Sequence, residues 1–127
     1  MKLSVDLNVV KGFMDPEEGL ALYESARSVA AIGPCLEIGS YCGKSTLYLG
    51  AACQETQNSL YAIDHHRGSE EHQVGEAYHD AELYDSETGL FDSFTVFRSN
   101  IKAAQLEDTV IPIVAASQVA GRHWQTP

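Results

Sequence analysis

Two acids and a glycine-rich turn carry the chemistry that can be read in this chain. The stretch Cys35-Leu36-Glu37-Ile38-Gly39-Ser40-Tyr41-Cys42-Gly43-Lys44-Ser45-Thr46 reads as a buried strand, a tight turn and the start of a helix. In a parallel α/β sheet that junction lies outside the carboxyl ends of the strands, where nucleotide-like ligands bind. A second apolar run, Leu60-Tyr61-Ala62-Ile63, ends in Asp64. Asp64 follows Gly43 by 21 positions, close to the offset of about 20 at which a carboxylate meets ribose hydroxyls.

Two ligand classes compete for the turn. Gly43-Lys44-Ser45 looks like the end of a phosphate-binding P-loop, and the run from Leu60 to Asp64 looks like the strand and acid that hold magnesium. A P-loop places four residues between its first glycine and the Gly-Lys pair, so that successive amides wrap the phosphates. Gly39 leaves only three, and Ile38 stands where the glycine belongs. The other class is an adenosyl ligand without phosphate. Glu37 at the end of the first strand repels a pyrophosphate and favours an ammonium or sulfonium cation.

With Glu37, the Gly39-Ser40-Tyr41-Cys42-Gly43 turn and Asp64 in these places, the chain resembles the class I S-adenosylmethionine-dependent methyltransferases from about Gly12 onward. It is most similar to a branch with a Gly-Ser-Tyr-x-Gly-x-Ser turn, an Asp-His pair after the second strand and a polar insertion beyond it. The resemblance implies S-adenosylmethionine as cofactor. It matches Glu37, Gly39, Ser40, Tyr41 and Gly43 to the loop around the methionine moiety, with Glu37 holding the amino group directly or through water. It matches Asp64 to the ribose-binding acid, places His65 at the border of the adenine, and puts Ala116 and Ser117 where the family has a group facing the adenine amine. Ala116 is apolar, which leaves the Ser117 hydroxyl or backbone for that contact. In the family a base or metal for the transfer comes from segments after the fourth strand, so no residue here is assigned a catalytic role.

The elements that would position these residues follow from periodicity and capping. Asp15-Pro16-Glu17-Glu18 is a helix start, and Leu22, Tyr23, Ala26, Val29 and Ala30 recur at helical spacing up to a stop at Gly33-Pro34. A helix is expected from about Gly43 to Gln54, a strand over Ser59–Ile63, a helix bearing Leu90, Phe94, Phe97, Ile101 and Ala104, and a third strand over Thr109–Ala115. Pro112 cannot donate to a sheet ladder, so that strand belongs at an edge. Ser117 is expected to cap a last helix running to Trp124. Strands alternating with helices predict a parallel sheet. The fold class is therefore α/β: a three-layer, Rossmann-like parallel sheet with strand order 3-2-1 from the resemblance, truncated before the fourth strand. Residues 1–127 form one partial domain, with 65–89 as a polar surface insertion.

Composition narrows the partners. Eighteen acids against eight Lys and Arg leave a formal net charge of −10, which disfavours a nucleic-acid backbone or an anionic membrane as partner. No apolar run reaches the length of about 18 that spans a bilayer, and the first residues lack the apolar core of a signal peptide. Three cysteines without CxxC spacing suit a reducing cytoplasm. Cys35 and Cys53 read as small core hydrophobes, and Cys42 in the turn as a filler. The insertion gathers His65, His66, His72 and His79 with Glu70, Glu71, Glu76 and Asp80. These are ligand types that suit zinc or another divalent ion, but their spacing matches no zinc signature, and a polar loop without metal is the expectation.

The function expected is a methyltransferase, in fragment form, acting on a small-molecule acceptor. The alternatives are a P-loop-like nucleotide-binding protein and a non-catalytic domain that self-associates. With no fourth strand the outer edge of the first strand would be unpaired beside apolar surface, a template for association. A homodimer closing that edge about a two-fold axis is expected. Light scattering after size exclusion should give twice the 13.8 kDa chain mass; a stable monomer contradicts it.

Overall fold

The backbone polar groups of one strand decide how the sheet is ordered. In the computed structural model, which describes residues 1–68, 83–85, 87–88 and 90–125, the strands β1 (Cys35–Ile38), β2 (Leu60–Ile63) and β5 (Val110–Ile113) form one parallel sheet in the order β1-β2-β5. Leu36 lies beside Tyr61, and Tyr61 beside Ile111. Leu60 N–H donates to the Thr109 carbonyl, Asp64 N–H to Ile113, and Ala115 N–H to Asp64. The odd-numbered residues of β5 thus aim their backbone groups at β2. Pro112, an even-numbered one, turns its ring nitrogen to the open edge, where no donor is needed. The expected strand order and the edge position of the proline strand are both present.

Side-chain alternation then sorts the two faces. Leu60, Ala62 and Val110 point to one face and are almost wholly buried under α2 (Lys44–Glu55) and α3 (Phe94–Ala103). Leu47, Cys53, Phe97, Ile101 and Leu106 complete this core, and each large member contributes about 1.5–3 kcal/mol by leaving water. The Cys53 thiol pKa is pushed up to about 12, by burial first and then by the neighbouring Cys35; it packs as an inert hydrophobe. The opposite face is thinly covered. Leu36 is 48% exposed and Ile38 63%. The short α4 (Ser117–Arg122) leads to Trp124, which meets Tyr61 edge-on at 5.7 Å. The outer edge of β1 has no strand partner among the described residues.

Helix α1 (Pro16–Ser28) starts as the sequence predicts: the Asp15 carboxylate accepts from Glu17 N–H at 2.8 Å. Its apolar stripe lies on α2, where Tyr23 and Ala26 meet Tyr48, Ala51 and Ala52. The helix ends at Ser28, well before Gly33-Pro34, so Val29 is an exposed C-cap and Ile32 faces solvent. The tight α1–α2 approach needs a missing side chain, because a Cβ on Gly19 would stand 2.3 Å from the Tyr48 ring.

Three further expectations are corrected. Leu90 is not helical. Leu90–Phe91 is strand β4, paired antiparallel with β3 (Tyr84–Asp85), and α3 begins at Phe94. The end of the segment expected to be a polar surface insertion is therefore tied into the protein: Leu83 and Phe91 are 2% exposed and pack with Cys42. Ser117 is not the cap of α4 either. That place is taken by Ala116, with no side-chain bond, and the helix stops at Arg122. Among the described residues no helix is long and apolar enough to cross a membrane.

Gly19→Ala should lower stability by about 1–3 kcal/mol through overpacking against Tyr48, despite a helix-propensity gain of about 1 kcal/mol. Chemical denaturation measures it, and a stabilised variant would refute the packing argument.

Candidate functional site

The turn after β1 is built from alternating left-handed residues. Gly39 leaves the strand at φ 88°, Tyr41 follows at 49°, and Gly43 caps α2 at 95°. Gly39 has nothing within 4 Å of where a Cβ would stand, so its side opens to a groove. Gly43 is pressed by the Phe97 ring, 3.2 Å from the same point. Tyr41 is the unusual member, since bulky side chains seldom take a positive φ. Its N–H donates to Asp64 Oδ2 at 2.7 Å, and its ring stacks with Phe13 on one side and Phe91 on the other. Asn100 from α3 donates to the Cys42 carbonyl at 2.8 Å, and Cys42 itself is fully buried as a small hydrophobe.

Asp64 ends β2 as expected and is half-buried. Its other oxygen accepts from His66 N–H at 2.9 Å. A carboxylate offers about four lone-pair sites, so acceptor capacity remains toward the groove. His65 stands beside it, with Nδ1 3.9 Å from Asp64 Oδ1. His66 turns inward at φ 62°. It is 1% exposed, bonded through Nδ1 to Ser93 Oγ at 2.8 Å and packed against Phe94 and Phe97. Burial holds its pKa below the ordinary histidine value, against the pull of Asp64 and Asp92.

Glu37 faces α2 rather than open solvent. Ser45 Oγ donates to one oxygen at 2.6 Å and Thr46 Oγ1 to the other. Burial raises its pKa, the two hydroxyl bonds pull it down, and the Asp64 charge raises it further. Ser45 is thus the bridge between Glu37 and the groove.

The groove has two lobes. One, of about 230 Å³, is lined by Gly12, Phe13, Met14, Glu18, Gly39, Ser40, Tyr41, Lys44 and Ser45. The other, of about 330 Å³, is lined by Phe13, Gly39, Tyr41, Asp64, His65, Gly68 and Ser93. Gly39, Ser40, Tyr41, Asp64 and His65 are therefore brought together. Gly43 supports the turn from behind, and Glu37 acts through Ser45. Ala116 and Ser117 line neither lobe, although Ala115 N–H reaches the Asp64 carbonyl next door. Ser40 is 2% exposed, and its hydroxyl has no hydrogen-bond partner among the described residues.

Sequence reasoning missed Phe13, Glu18 and Ser93. Glu18 sat in view as a helix-start acid; Phe13 and Ser93 carry no motif, and only folding brings them to the turn. His72, His79, Glu70, Glu71, Glu76 and Asp80 lie outside the described residues. Among the described residues, no group of three or more His, Cys, Asp or Glu side chains suits a metal ion.

Glu37 yields a test of the buried bridge. A raised folded-state pKa means that its contribution to stability is complete below the ordinary carboxylate value and is lost as pH rises through the raised one. The unfolding free energy of Glu37→Gln should lack that decline when both proteins are followed across the acid range. Parallel curves would show that burial does not perturb this carboxyl.

Residues 36–127 match the model of a family described as a methyltransferase domain. Among solved structures, the cofactor-bound Rv0187 from MTB aligns over 93% of this chain and 42% of its own, at 18% identity and a TM-score of 0.59. A putative O-methyltransferase from Klebsiella pneumoniae aligns over 94% of this chain and 52% of its own, at 18% identity and a TM-score of 0.45. The chain thus spans about half the length of these structures. With its strand order and turn, the chain belongs to the class I S-adenosylmethionine-dependent methyltransferase family, carrying the N-terminal part of the domain.

Proposed function

We propose that the groove binds S-adenosylmethionine and that the protein transfers its methyl group to a small-molecule acceptor. The observation that carries this reading is the pair of lobes meeting at Gly39 and Tyr41, with Asp64 in one and Glu18, Ser40 and Ser45 in the other. Asp64 would accept from the ribose hydroxyls, with His65 beside the base. Glu18, Ser40 and Ser45 would hold the amino-acid end, and Glu37 behind Ser45 supplies negative charge toward an ammonium. The fit is supported by the Ser40 hydroxyl, buried at the wall of the lobe without a partner among the described residues, and by the open space beside Gly39. The cofactor, when bound, supplies an activated methyl group on sulfur.

This chain's residues orient rather than react. The amides of Gly39, Tyr41 and Gly43 are engaged with Ile63, Asp64 and Ser40. They fix the turn and are not available to wrap phosphates, which argues against the P-loop alternative. Alignment of an acceptor with the methyl carbon is what the scaffold contributes. A reducing compartment such as the cytoplasm suits three cysteines that form no disulfide.

Calorimetric titration of the protein with S-adenosylmethionine and its demethylated product tests the reading. Both should bind, and Asp64→Ala should weaken binding about tenfold or more, the loss of charge-assisted bonds of about 1.5–3 kcal/mol each. A thermal melt of the variant checks that it folds. No binding by the parent protein, or unchanged binding by a folded variant, overturns the proposal.

A further inference from the structure

An exposed aromatic from the segment before α1 stands where the two lobes join. Phe13 is 76% exposed, yet its ring lies 6.0 Å from that of Tyr41 at an interplanar angle of 21°. It is held there by its neighbour. Gly12 lies so close to the Lys44 stem that a Cβ would stand 2.9 Å from Lys44 Cβ, so the segment can lie down on the start of α2 only without a side chain at that position. A ring this exposed recovers little hydrophobic energy from its placement.

Among the described residues, Phe13, Gly39 and Tyr41 line both lobes. On the proposed reading, one lobe takes the amino-acid end of the cofactor and the other the nucleoside. The sulfonium joins those two parts, so these three residues border it. Gly39 has no side chain to offer, and the Tyr41 ring is stacked with Phe13 and Phe91. Phe13 is the aromatic on the solvent side of the stack.

We infer that the Phe13 ring flanks the cofactor sulfur and recognises its positive charge, so that the site distinguishes the sulfonium cofactor from the neutral thioether left after transfer. The inference rests on the cofactor reading above and adds a residue that favours substrate over product. An aromatic face attracts a cation within about 6 Å, by roughly 0.5–1 kcal/mol at exposed sites. A neutral thioether gains no such term. The ring thus lowers product affinity relative to cofactor affinity, which eases exchange after each turnover.

The test compares dissociation constants for S-adenosylmethionine and S-adenosylhomocysteine by calorimetry in the parent protein, Phe13→Leu and Phe13→Tyr. Leucine keeps apolar bulk and removes the ring face; tyrosine keeps the face. Phe13→Leu should lose about two- to fivefold more affinity for the sulfonium than for the thioether, and Phe13→Tyr should keep the parent ratio. A simple packing role would change both affinities alike. Equal losses, or none, in a parent protein that binds both ligands overturn this inference and leave the cofactor reading standing. A parent protein that binds neither overturns the cofactor reading, and this inference with it.

Discussion

The site depends on one carboxylate. Asp64 joins the end of β2 to the turn after β1 by accepting from Tyr41 N–H, and it fixes its own following residue by accepting from His66 N–H. Charge-assisted bonds of this kind are about twice as strong as neutral ones. They hold Tyr41 and His66, both at positive φ, in backbone conformations that bulky residues rarely take. The same group that would accept from a ribose is thus the bolt that shapes the pocket. Binding and architecture are coupled at this residue, so a ligand hydroxyl meets a carboxylate already oriented by two amides.

From that bolt the supports run outward in two directions. Tyr41 carries the aromatic stack that ends in Phe13 on one side and Phe91 on the other, and Phe91 draws the β3–β4 hairpin onto Cys42. His66 carries the other support, through Ser93 at the start of α3 and the rings of Phe94 and Phe97. Ser93 is engaged by the imidazole and gives no side-chain cap to α3; Asp92 supplies it instead, accepting from Phe94 N–H at 2.9 Å. Each support ends in packed apolar surface, which lets a short, strained turn persist without a ligand.

Glu37 shows how an acid is kept at the base of such a turn. A buried carboxylate alone would be costly. Two hydroxyls from the first turn of α2 compensate it in part, and burial still dominates its pKa. The carboxyl group lies near the groove but behind Ser45. The amides of Gly39, Tyr41 and Gly43, engaged within the protein, count against the phosphate reading as well.

The three strands of the parallel sheet, the starts of α1 and α2 and the two acids were legible from the sequence because they are local. Four-residue runs, apolar apart from Glu37 in the first and bounded by Pro34, Gly39 and Asp64, specify β1 and β2, Asp15-Pro16 specifies the start of α1, and a proline places β5 at an edge. The spacing from Gly43 to Asp64 follows from the length of one helix and its return. What the tertiary structure alone decided is what those residues touch. Nothing local says that Ser45 and Thr46 would satisfy Glu37, that His66 would turn inward while His65 turned out, or that Leu90 would leave its helical pattern for a strand whose Phe91 packs on Cys42. Ser117 misled for the same reason: a serine before a helix reads as a cap, but the chain enters α4 one residue earlier, at Ala116. Phe13 is separated from Tyr41 by all of α1 and β1, and only the packing of α1 on α2 closes that distance.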